Sequence, residues 1–68
     1  MTIPQAYTKL FHHSQGDEVL SHLKKITFER TLSPAATDAE LRFLEGQRAL
    51  VALIISFIKQ GQQKGENI

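Results

Sequence analysis

Residues 37–60, TDAELRFLEGQRALVALIISFIKQ, constrain the possible folds of this chain more than any other segment. They contain no proline, and Thr37 is followed three residues on by Glu40. At that spacing the two side chains can satisfy each other's free backbone N–H groups and start a helix. The segment therefore reads as one helix about 35 Å long at 1.5 Å per residue, with Gly61 placed to end it. Between residues 49 and 58 only Ser56 is polar. A helix that is apolar around its whole circumference has to be covered on every side.

The cover available within the chain is small. Pro4 sits where a first helical turn tolerates it, and Ala6, Tyr7, Leu10 and Phe11 fall at three- and four-residue spacings, predicting a helix over about 4–12. Ser14 is a suitable N-cap and Asp17 an acid in the first turn of a second helix over about 15–26. Its apolar stripe is Val19, Leu20, Leu23 and Ile26. Thr27, Phe28 and Thr31 favour extended backbone, and Ser33-Pro34 disfavours helix, so residues 27–36 read as a connector anchored by Phe28 and Leu32. Residues 61–68 read as a flexible polar tail. The expected fold is all-α: one domain spanning residues 1–68, with two short helices packed on a long C-terminal helix over about 38–60.

One face of that long helix, Leu41, Leu44, Val51, Ile55 and Ile58, can receive the two short helices. Phe43, Leu50, Ile54 and Phe57 lie largely on other faces. With Gly46 they form a candidate interface, facing a second copy, another protein or, less favoured, a membrane surface. Domains below about 80 residues commonly gain missing stability by oligomerising. Gly46 stands in Glu45-Gly46-Gln47-Arg48, where a mid-helix glycine costs about 1 kcal/mol relative to alanine. Two explanations are open. Another backbone or ligand approaches there, or the glycine is a packing notch between helices, which can itself belong to an interface, with Arg48 paired to Glu45 and Asp38 to Arg42.

Chemistry-bearing patterns are sparse. The 68 residues include no cysteine, which removes disulfides, thiolate metal sites and cysteine nucleophiles and fits an intracellular protein. His12, His13 and His22 are the only nitrogen candidates for a metal, and they lack the grouping such a site requires, so no metal or cofactor is expected. Glu18 and His22 read as a solvent-facing pair. Ser14, Ser21, Ser33 and Ser56 have no glycine-flanked elbow, and Ser56 is expected to bond a preceding carbonyl. No phosphate-cradling glycine motif is present, and no catalytic residue is expected. The net charge is +1 with signs interleaved, and Lys24-Lys25 is the only adjacent basic pair. Nucleic acid is therefore a disfavoured partner. The ten-residue apolar run falls short of the roughly 20 residues of a membrane span, and the N-terminus lacks the order of a secretory signal.

The pattern Tyr7-x-x-Leu10-Phe11, Gly16-x-x-Val19-Leu20-x-x-Leu23 and Glu45-Gly46-Gln47-Arg48 before an apolar helix resembles a family of small proteins of tailed bacteriophages and prophages. That family is typified by a protein of Bordetella-infecting podophages. The resemblance covers about residues 7–58, and its most specific parts are the Gly16–Leu23 spacing and the Glu45–Arg48 tetrad. It implies a phage gene product, commonly encoded beside virion-assembly genes, working in the virion or the host cytoplasm, with no active site to carry over. The connector and C-terminal tail are shorter than in longer relatives, so no partner contact is carried over there. Two roles follow as expectations. The first is a non-enzymatic structural protein that assembles on itself or on other phage structural proteins. The alternative is a small regulator of helix-turn-helix type, disfavoured because the long helix lacks a basic, exposed recognition face.

Overall fold

The first and third helices begin where side chains take up the free N–H groups of a first turn. The computed structural model describes the backbone of residues 1–66 and the side chains of residues 1–62. Helix α1 (Ile3–Leu10) is capped by Thr2: its hydroxyl accepts from the Gln5 N–H at 3.3 Å, while the Gln5 side chain accepts from the Thr2 N–H at 3.0 Å. Thr2-x-x-Gln5 is thus a full reciprocal cap that the sequence contained and the expectation for this segment overlooked. Helix α3 (Asp38–Glu66) starts on Thr37, whose hydroxyl accepts from the Glu40 N–H at 3.1 Å, as expected. The returning half of that box differs, because the Thr37 hydroxyl donates to the Glu40 carboxylate at 3.3 Å.

Helix α2 (Ser14–Thr27) corrects two expectations. Its N-cap is His13, with no side-chain hydrogen bond, and Ser14 is already in the helix. At its other end Thr27 closes the helix instead of opening the connector. Its side chain is buried and its hydroxyl donates 2.7 Å to the Leu23 carbonyl, which satisfies the polar group inside the helix. Phe28 and Leu32 anchor the connector only in part: Phe28 is largely exposed and Leu32 half-buried.

The long helix does not end at Gly61. It continues through Glu66, so most of the expected tail is helical, and residues 67–68 lie outside the described residues. The reason lies in α1, which makes the more extensive of the two contacts with α3. A Cβ at Gly61 would run into the Thr8 hydroxyl and lie 2.5 Å from the Pro4 carbonyl oxygen. Gly61 therefore lets two helix backbones approach. The Thr8 hydroxyl lies 3.0 Å from the Pro4 carbonyl and 2.9 Å from the Ile58 carbonyl on α3. Its single proton is shared between the two helices at the crossing. Nearby, the Tyr7 and Phe57 rings pack with centroids 5.0 Å apart, tilted by 34°. Gly16 plays a smaller version of the same role, where a Cβ would lie 2.5 Å from the Leu10 carbonyl oxygen.

Among the described residues, Leu44 and Val51 are the only buried large apolar side chains, joined by the buried Thr27. Ile55 and Ile58 are half-buried, and Leu41, expected on the same inward face, is largely exposed. The molecule is elongated, about 50 × 20 × 16 Å, because α3 outreaches both helices that fold against it. Gly61→Ala is expected to lower stability by about 1–3 kcal/mol through overpacking, although alanine is the better helix former. Thermal melts of Gly61→Ala alone and combined with Thr8→Ala test this. The second change removes the hydroxyl that the methyl meets and should return part of the loss.

Candidate protein interaction surface

Arg48 joins α2 to α3 and thereby decides which side of α3 is covered. Its Nε donates 2.9 Å to the Thr27 carbonyl and its Nη2 donates 2.7 Å to the Arg30 carbonyl, while Nη1 pairs with the Glu45 carboxylate at 2.7 Å. The last carbonyls of a helix have no partner within it, and a guanidinium there meets both that need and the negative end of the helix dipole. Sequence spacing anticipated the Glu45 pair but not the two carbonyls, which lie 21 and 18 residues away along the chain. No Asp38–Arg42 pair forms among the described residues.

With Leu44, Arg48 and Val51 turned toward the rest of the chain, the adjoining face of α3 stays open. Phe43 is 69% exposed, Leu50 60% and Leu53 49%. Between them, a Cβ at Gly46 would meet nothing within 4 Å. No group of the chain outside α3 lies over Gly46, so a packing notch at this position receives neither α1 nor α2. The expected interface residues thus divide. Phe43, Gly46 and Leu50 lie on one exposed line, Ile54 is half-buried, and Phe57 is half-buried with its ring against Tyr7. Leu53 belongs to the line and the sequence reading missed it. The signal was present in the 3-4-3 spacing of residues 43, 46, 50 and 53, the repeat of a helix-pairing seam. At its N-terminal end the line borders a groove of about 300 Å³ formed with Leu32 and Arg30 of the connector.

Other groups are placed less suggestively. The His12 and His13 rings lie edge to face with centroids 6.0 Å apart, and no cluster of three metal-ligating side chains occurs among the described residues. Glu18 and His22 are both exposed. The Ser56 hydroxyl accepts from the Gln60 side chain at 3.2 Å, in place of the expected bond to a preceding carbonyl. Among the described residues, no helix is long and apolar enough to cross a membrane.

The model of a family described as Bbp19-like phage protein matches residues 7–65. No curated protein matches the chain, and no solved structure does.

Because the space above Gly46 is empty, Gly46→Ala should raise the stability of the dilute protein by up to about 1 kcal/mol, the helix-propensity gain. Denaturant melts at low concentration check it. A loss of stability instead would mean that the space is filled when the protein is in solution.

Proposed function

The chain belongs to the Bbp19-like phage protein family, and we propose that it is a small assembly or virion component that acts by protein–protein interaction and self-associates through α3. It works in the virion or the host cytoplasm as an interaction protein rather than an enzyme. The observation that supports this reading most is an imbalance. Three large apolar side chains stand exposed on one line of α3, while only Leu44 and Val51 among the large apolar residues described are buried. A domain of this size has little stability to spare, and contact with another subunit is a common source of what is missing.

The charges along the exposed part of α3, Asp38, Glu40, Arg42, Glu45 and Lys59, mix both signs without a basic stripe. Such a surface offers a nucleic-acid backbone few phosphate contacts and gives a protein partner no net repulsion.

Light scattering over a wide concentration range is expected to give a wild-type mass above that of one chain. Phe43→Ser combined with Leu50→Ser should return the mass to one chain with the helical circular dichroism kept, because neither side chain is buried. A wild-type protein that stays monomeric at every concentration would remove the basis of the reading.

A further inference from the structure

The repeat of the exposed line of α3 extends at both ends, to the exposed Ala39 and the half-buried Phe57. Positions 39, 43, 46, 50, 53 and 57 follow one another at intervals of 4, 3, 4, 3 and 4, holding Ala, Phe, Gly, Leu, Leu and Phe. A 3.5-residue repeat keeps a seam turned toward a partner helix. The order of intervals is the same read from either end, and the pairs 39 and 57, 43 and 53, 46 and 50 are each equidistant from position 48. We propose that two copies of this chain pair through α3 in an antiparallel arrangement centred on position 48, with Gly46 of each copy receiving Leu50 of the other.

Side-chain size selects the direction. Antiparallel pairing sets Gly46 against Leu50, Phe43 against Leu53 and Ala39 against Phe57, so the two smallest residues of the line each face a large one and no layer is left empty. Parallel pairing sets Phe43 on Phe43 and Gly46 on Gly46, alternating an overfilled layer with an empty one, which close-packed interfaces do not tolerate. The crowding of each end agrees with this. Phe57 already carries the Tyr7 ring beside it, and the residue brought to it is Ala39, the smallest in the line after Gly46. The contact is isologous: each copy supplies the same surface, and the pair closes without propagating. It also accounts for Gly46, which has a helix-propensity cost and no contact within the chain that needs it.

The pairing rests on the self-association reading above, and its test separates the two. The chain has no cysteine, so an introduced thiol is a unique reporter. Ala39 and Ala49 are both exposed. In the proposed pair, the two copies of position 49 are offset along the axis by about 3 Å, and those of position 39 by about 27 Å. Treatment with a bis-maleimide spanning one helix–helix distance, about 8–10 Å, should therefore cross-link Ala49→Cys to a covalent dimer and leave Ala39→Cys as single chains. Cross-linking of Ala39→Cys, alone or with Ala49→Cys, would overturn the antiparallel register. If neither links while light scattering still reports a dimer, the copies meet through another face: this pairing is wrong and self-association stands. A monomer throughout removes both. Independently, Gly46→Leu should weaken association by about tenfold or more, because the added side chain occupies the place of Leu50 from the other copy. Unchanged association with unchanged helix content would overturn the Gly46–Leu50 layer.

Discussion

A single missing side chain allows the architecture. At Gly61 the backbones of α1 and α3 come close enough for the Thr8 hydroxyl to reach the Ile58 carbonyl, and any Cβ there would meet Thr8 and Pro4. The rest of the α1 contact depends on that approach, including the Tyr7–Phe57 ring pair that covers part of the apolar half of α3. Glycine costs helix propensity at this position, and the packing it permits exceeds that cost. The helix therefore continues through a residue that by local rules would end it.

The second helix is held differently. Its contact with α3 is smaller, and much of its definition comes from Arg48, which closes the carbonyls of Thr27 and Arg30. A charged hydrogen bond to a helix C-terminus is stronger than a neutral one, and here it lies over the buried Thr27, Leu44 and Val51. The polar clamp and the small apolar core stabilise the same junction. Because Arg48 holds α2 to this side, neither short helix covers Phe43, Leu50 and Leu53.

That asymmetry links the fold to the proposed role. Two short helices can cover about one face of a helix as long as α3, and they do so at different levels: α1 beside residues 57–61, and the end of α2 beside Arg48. The uncovered face is an ordered line of large apolar groups on a rigid element, a surface that orders little further when a partner helix docks and so loses little conformational entropy. A larger monomeric domain would bury this line in its own core. In a chain of this length it remains available for assembly.

The three-helix content, the Thr37 start of α3 and the surplus of apolar positions were legible in the sequence, because helix caps and 3.6-residue periodicity are expressed within a few residues of chain. So was the Glu45–Arg48 pair, one turn apart. The phage family was legible too, from Tyr7-x-x-Leu10-Phe11 through the Glu45–Arg48 tetrad. What the tertiary structure alone decided is which contact each special residue serves. Gly46 and Gly61 look alike in sequence, each a glycine at an α3 position with polar neighbours. Gly61 became a backbone crossing and Gly46 an open site because α1 lies over one and nothing in the chain lies over the other. Leu41 and Leu44 share a helical face, yet only Leu44 is buried, since the covering helices stop short of the start of α3. Such outcomes depend on residues up to 50 positions apart, a distance over which local propensity and periodicity carry no information.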